Sequence, residues 1–221
     1  MAGTTVNEDN VVYKTLRQAI NDAGYNFTLD QVLLEGAGKE KLQAIKSILQ
    51  VYAQNSDAQL ADSIFAQFVQ YLDRAYETLA ITEQPHARQL FHSLKEMGIH
   101  VVLNTGYNYK TASSLVNKLG WIQGEDYDAL VTASNVQHNR PQPDMILLAM
   151  EQLNITNPRQ VIKVGDSIID IEEGKNAGCR LTIGITTGAH TYAQLQTAHP
   201  DYIINDLLEL VPLLTASGVE Q

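Results

Sequence analysis

The chain has 221 residues, 44% of them hydrophobic and 18% charged, which suits one large globular domain or a core with a smaller partner. Its net charge of −10 argues against a nucleic-acid or anionic-membrane surface, where basic patches are expected, but not against a small anionic substrate held at a local cationic site. A single cysteine, Cys179, excludes an intrachain disulfide and points to a reducing, cytoplasmic setting; no signal-peptide pattern opens the chain, and no apolar run approaches the ~20 residues that cross a bilayer.

In chain order, the opening stretch Ala2-Gly3-Thr4-Thr5 has the form of a tight turn at a strand tip, although only Met1 and Ala2 precede the glycine. Residues 10–79 then read as helices almost throughout. NVVYKTLRQAINDAG has apolar residues at helical spacing and stops at Gly24. LDQVLLEG is shorter. KEKLQAIKSILQVYA places Leu42, Ile45, Ile48, Leu49 and Tyr52 on one face, and SDAQLADSIFAQFVQYLDRAYETL begins with Ser56 as a fair N-cap. From about residue 80 helices and strands alternate. Helix QPHARQLFHSLKEMG leads to strand IHVVLNT, helix YKTASSLVNKLG and strand ALVTAS. Helix PDMILLAMEQLN, strand QVIKVGDS, helix DIEEGKNAG, strand LTIGITTG, a short helix near TYAQLQ and strand DYIIND follow. This alternation predicts an α/β fold, a Rossmann-like doubly wound parallel sheet, with an all-helical insertion near the N-terminus.

Ligands of open parallel sheets lie beyond the carboxyl ends of the strands, so polar residues that follow each apolar run are the candidates. In VIKVGDSIID, Asp166 sits at a strand tip and Asp170 near the next helix start. Two carboxylates there suit a hard cation such as Mg²⁺, and equally a turn and a helix cap. In HVVLNTGYN, Thr105 and Gly106 offer a hydroxyl and backbone amides to a phosphoryl oxygen. In HNRPQPDM, two prolines stiffen the loop that carries Arg140. Gly3 and Thr4 make the fourth such place.

Together and in this order, these pieces resemble the four motifs of the haloacid dehalogenase superfamily of phosphotransferases. The first motif, D-x-D-G-T in that family, is present only from its second residue; Thr105, Arg140 with RPQP, and GDSIID stand for the other three. The resemblance covers nearly the whole chain. It implies a core of residues 1–11 and 80–221 and a C1-type helical cap of residues 12–79. The phosphonatase-like hydrolases are most similar: their first motif reads D-x-A-G-T-T, they use arginine before the proline, and their fourth motif runs into E-G-x-N-A-G, as in Glu173–Gly178.

What the resemblance implies is a Mg²⁺-dependent hydrolase of a small phosphonate or phosphate ester. The nucleophile would be an aspartate immediately before Met1, forming an aspartyl-phosphate. Mg²⁺ would be held by that aspartate, the Ala2 carbonyl and Asp166, with Asp170 in support. Gly3, Thr4, Thr105 and Gly106 would bind phosphoryl oxygens and Arg140 would stabilise their charge. Ala2 stands where ordinary family phosphatases carry an acid/base aspartate. Phosphonatases instead use a cap lysine, in the pattern M-G-x-x-K, to form a Schiff base with an aldehyde substrate. Glu35-Gly36-Ala37-Gly38-Lys39 keeps the spacing, which makes Lys39 the candidate, with Lys41 and Lys46 as neighbouring alternatives and Gly36 and Gly38 in a substrate-specificity loop. A phosphoglycolate phosphatase-like phosphomonoesterase and an inactive phosphate-binding relative stay open. The same resemblance makes a homodimer through the cap an expectation, with YKTLRQAINDAG as the contact helix.

Overall fold

The computed structural model describes residues 1–78 and 80–216. Leu79, with which the predicted fourth helix and the predicted cap end, and residues 217–221 of the predicted core lie outside the described residues. After a tight turn over the first five residues comes the two-residue strand β1 (Val6–Asn7), then four helices: α1 (Val11–Asp22), α2 (Leu29–Gly36), α3 (Lys41–Ala53) and α4 (Ala58–Thr78). Each predicted helix of this insert is present. In α1, Val12, Leu16, Ala19 and Ile20 are fully buried, at the three- and four-residue intervals that line one helical face. Thr28 and Gln31 close a reciprocal capping box on α2. Glu40 caps α3 by accepting the amides of Leu42 and Gln43. At the start of α4, Asp57 and not Ser56 receives the free amides, those of Gln59 and Leu60. Ile45, Ile48 and Leu49 of α3 join Ile64 and Phe68 of α4 in the core, each such burial contributing about 1.5–3 kcal/mol.

The chain leaves the insert through β2 (Thr82–Glu83), which pairs antiparallel with β1, Val6 opposite Glu83 and Asn7 opposite Thr82. Helix α5 (Ala87–Glu96) leads to β3 (Val102–Thr105), α6 (Tyr109–Lys118), β4 (Ala129–Thr132) and α7 (Asp144–Gln152). Then come β5 (Ile162–Gly165), α8 (Ile168–Asn176), β6 (Leu181–Ile185), α9 (Tyr192–Thr197), β7 (Tyr202–Ile204) and α10 (Leu210–Ala216). All pairings among β3–β7 are parallel, as the alternation of strands and helices requires.

The parallel strands form two sheets, β3-β4 and β5-β6-β7, where the pattern predicts one, and β1-β2 is a separate antiparallel ribbon. Strands β3 and β5 are not hydrogen-bonded to each other, and the turn of residues 1–6 bridges their carboxyl ends instead. The Met1 amine donates to Asn104 O at 3.2 Å on β3, and Thr4 Oγ1 donates to Asp166 Oδ1 at 2.8 Å just past β5. The β1-β2 ribbon and α10 were not predicted. Two-residue strands have no readable period, and α10, a seven-residue apolar stretch with Pro212 inside it, is too short to show helical spacing.

Candidate active site

The turn at residues 1–6 is wound on a single carbonyl. Met1 O accepts the amides of Thr4, Thr5 and Val6 at 3.2, 2.8 and 3.1 Å, and the Thr5 hydroxyl at 3.2 Å. Gly3 adopts φ +80°, open to glycine without strain, and a Cβ there would overlap the Asp166 carboxylate. A Cβ at Gly188 would meet the same carboxylate. Asp166 therefore lies in a slot between two backbone segments. It accepts from Thr4 Oγ1 and, at 2.9 Å, from the Ala189 amide.

Beside it is a buried quartet. Asp170 Oδ1 lies 2.9 Å from Arg140 Nη1 and 3.0 Å from Lys163 Nζ, and Glu173 Oε2 lies 2.8 Å from Arg140 Nε and 2.9 Å from the same lysine. The Arg140 Nε–Glu173 contact is an ion pair without hydrogen-bond alignment. Ser167 Oγ donates to Asp170 at 2.5 Å, and Asn104 joins Glu173 to Arg140. Two cations and two anions balance, which is how four buried charges are tolerated. Burial raises the Asp170 carboxyl, but Arg140 and Lys163 overcome it and hold the group well below the usual carboxylate range. Asp166 goes the other way. Burial and then the neighbouring Asp170 charge push it up. The Met1 amine is pulled down to about 6 by burial, against the attraction of Asp170 and Asp166.

The loop between α2 and α3 closes on this cluster. Gly38, at φ +75°, comes so near the start of α8 that a Cβ would overlap Ile169 and stand 2.5 Å from Ser167 Oγ. A Cβ on Gly106 would stand 2.5 Å from Gly38 O. Arg140 Nη1 reaches the same carbonyl at 3.5 Å. Thr105 is buried at the end of β3, its hydroxyl accepting the Tyr107 amide at 3.2 Å. At the start of α3, Lys41 turns inward. Its Nζ donates to Lys39 O at 2.6 Å and to Tyr13 Oη at 3.3 Å, and lies over the rings of Tyr13 and Tyr107, 4.7 and 5.1 Å from their centroids. Burial brings this amine down from 10.5 to about 8; Arg140 adds to the fall, while Glu40, Glu8 and Asp166 oppose it.

The structure thus gathers Gly3, Thr4, Thr105, Gly106, Arg140, Asp166 and Asp170, from four separate stretches of the chain. It places two other predicted residues elsewhere. Gly36 packs inside the helical insert, where a Cβ would stand 3.2 Å from Ile48 and 3.4 Å from Ala44. Lys39 is held by Glu35 at 2.5 Å and by Ser47 at 2.8 Å, so its amine serves the α2–α3 junction. Lys46 is exposed on α3. The inward amine is that of Lys41, and a signal for it was present: Gly38-Lys39-Glu40-Lys41 repeats the G-x-x-K spacing two residues after Gly36-Ala37-Gly38-Lys39. Glu173 enters the sequence reading only as part of the Glu173–Gly178 motif, and Lys163 and Glu8 not at all, because a lone charge gives no sign in the sequence of the partner it meets.

Among the described residues no three His, Cys, Asp or Glu side chains converge as a ready cation cage. The carboxylate at hand is Asp166, in its slot beside the Gly3–Thr4 turn. Burial and the Asp170 charge both disfavour the Asp166 carboxylate, and a bound cation would relieve them. Mg²⁺ binds through one or two carboxylates and keeps several waters, so this hard oxygen donor fits it.

Residues 1–183 match the family described as haloacid dehalogenase-like hydrolase. The phosphonoacetaldehyde hydrolase of Latilactobacillus sakei subsp. sakei (strain 23K) is 33% identical over 174 residues, 68% of this chain and 64% of that protein. The phosphoglycolate phosphatase of Escherichia coli (strain K12) is 29% identical over 130 residues, 59% of this chain and 50% of that protein. The chain thus matches less than two thirds of the length of these curated relatives. In structure, a phosphonoacetaldehyde hydrolase like protein from Oleispira antarctica superposes with a TM-score of 0.82, covering 97% of this chain and 89% of that one. At 22% identity that likeness concerns the fold alone.

Proposed function

The chain belongs to the haloacid dehalogenase-like hydrolases, and on that premise we propose that it carries out a phosphonatase-like reaction, the Mg²⁺-dependent hydrolysis of a small phosphonate that bears an aldehyde. The observation that carries this is Lys41, a buried amine brought down to about 8 beside the Asp166–Arg140 cluster. An amine so displaced is partly free at neutral pH. It can add to an aldehyde carbonyl and lose water, giving an iminium that takes up the electron pair of the breaking C–P bond.

The other residues take their parts around it. Asp166 and the Ala2 carbonyl would hold Mg²⁺, which supplies charge neutralisation between a phosphoryl group and an attacking carboxylate. The amides and hydroxyls of Gly3, Thr4, Thr105 and Gly106 would receive phosphoryl oxygens. Asp170 fixes the Arg140 guanidinium, whose charge would stabilise the same oxygens. On this proposal the attacking carboxylate is an aspartate one position upstream of Met1. Support comes from the burial of the Met1 amine between the tips of β3 and β5, which puts the chain just before Ala2 inside the cluster. The helices α1–α4 act as the cap, with Gly38 rather than Gly36 in the closing loop.

A phosphomonoesterase is the second possibility, favoured by the E. coli phosphatase relative. The test is trapping. Phosphonoacetaldehyde and sodium borohydride should leave a covalent label on the peptide bearing Lys41, kept in Lys39→Met and lost in Lys41→Met. A label-free Lys41 in the folded chain, with turnover of plain phosphate esters by the upstream-extended protein, would reject the phosphonatase reading in favour of the phosphatase.

A further inference from the structure

Glu8 is 3% exposed and has no part in the cluster around Asp166. Its carboxylate accepts two phenolic hydrogens, from Tyr107 at 2.6 Å and from Tyr76 at 2.8 Å. Among the described residues no cation stands within ion-pair distance of it. Tyr107 follows the tip of β3, Tyr76 lies near the end of α4, and Glu8 itself leads into α1 through Asp9 and Asn10, both at positive φ. One buried carboxylate therefore ties together the core and both ends of the helical insert. The same Tyr107 whose hydroxyl it holds presents its ring to Lys41 Nζ, opposite the ring of Tyr13. A phenol that donates to a carboxylate has an electron-richer ring, which attracts a cation more strongly.

We propose that Glu8 is a positioning residue for the Lys41 amine: through Tyr107 it fixes one wall of the two-ring slot that holds the ammonium, and supplies the counter-charge behind that wall. The proposal rests on Lys41 being the amine of the site. The other groups that act on Lys41 are Glu40 at the start of α3, Arg140, Asp166, and the phenols of Tyr13 and Tyr107. Glu8 differs from all of these in reaching the amine through a hydrogen-bonded ring and in belonging to the segment where the insert begins.

The test uses the chain as it is and needs no turnover. Reductive methylation with formaldehyde and cyanoborohydride, followed at the Lys41 peptide by mass spectrometry from pH 6 to pH 10, gives the midpoint at which the amine becomes reactive. Glu8→Gln keeps the shape and removes the charge; its midpoint is expected to fall by about one pH unit. Tyr107→Phe should move it the same way by less, and Glu8→Asp, which restores the charge, should return it to the wild-type position. A purely structural Glu8 would lower the melting temperature in Glu8→Gln without moving the midpoint, and an unmoved midpoint in a folded Glu8→Gln overturns the proposal. If the midpoint moves but phosphonoacetaldehyde leaves no trapped label on Lys41, the phosphonatase reading fails and the role of Glu8 stands. If the label forms and the midpoint does not move, Glu8 alone is refuted.

Discussion

Replacing Lys41 by methionine should stabilise the folded protein at pH 6.5 while removing aldehyde trapping. The amine falls from 10.5 to about 8 on folding, so below pH 8 the folded state carries a charge it disfavours. A displacement of that size corresponds to about 3 kcal/mol against folding. Methionine fills similar space without the charge. It leaves Lys39 O without its donor, and an unsatisfied buried carbonyl costs about 1–3 kcal/mol. The net gain at pH 6.5 is therefore at most about 2 kcal/mol. The pH dependence is sharper, because the lost contacts are the same at every pH. Between the folded value near 8 and the unfolded value of 10.5 the unfolded chain binds the extra proton, so wild-type stability rises through this window relative to Lys41→Met. The wild-type penalty should shrink from about 3 kcal/mol at pH 6.5 to about 1 kcal/mol at pH 10. Urea unfolding of both proteins at the two pH values measures it. A stability difference that stays the same at both would mean that Lys41 is not a desolvated ammonium, and the case for its reactivity would go with it.

Asp170→Asn leaves Arg140 and Lys163 sharing only Glu173, and should cost about 3–5 kcal/mol in urea unfolding at pH 7. Because the Asp170 carboxyl is depressed, its contribution is present above the ordinary value of 3.8 and lost as pH falls through that region and below. The acid limb of the stability profile should flatten in the variant, and an unchanged limb would show that the quartet does not hold that charge. Gly38→Ala adds a strained positive φ to an overlap with Ile169, so the loop must lift from α8. A fall in melting temperature equivalent to about 1 kcal/mol or more is expected, and a neutral result would mean the loop does not close as described. Gly106→Ala presses on Gly38 O from the other side and should expose the Lys41 peptide to amide exchange; unaltered protection would count against contact between the two loops.

Much of this architecture was readable from pattern. The helices of the insert announce themselves through apolar residues at helical spacing, as in Leu16, Ile20, Ile45 and Leu49. The strand tips show where apolar runs give way to Thr105 or to Gly165-Asp166. What could not be read are the facts that depend on a partner. Both G-x-x-K registers lie within seven residues, and only packing tells which lysine turns inward. Glu35 and Ser47 capture Lys39, while Tyr13 and Tyr107 receive Lys41. Lys163 looks like an intrusion in an apolar strand until Asp170 and Glu173 are seen beside it. The division of the strands into two sheets was equally hidden, since hydrophobic period says that a segment is a strand and not which neighbour it meets.

The pairing of Val6 with Glu83 and of Asn7 with Thr82 brings the two ends of the helical insert side by side. More than seventy residues thus leave and re-enter the core through a stem two rungs long, and meet it again where Gly38 touches Ile169. Such a joint makes the insert a cassette. Its outer parts can be lengthened, shortened or exchanged while Gly3, Thr4 and Asp166 stay where they are, so long as the Gly38 loop keeps its seat on α8, because the chain beyond Asn7 returns to the same place at Thr82. The insert also carries Lys41, so a change of cassette changes the amine presented to the core as well. The core keeps Gly3, Thr4, Arg140 and Asp166, while Gly38 and Lys41 arrive from the far side of the stem.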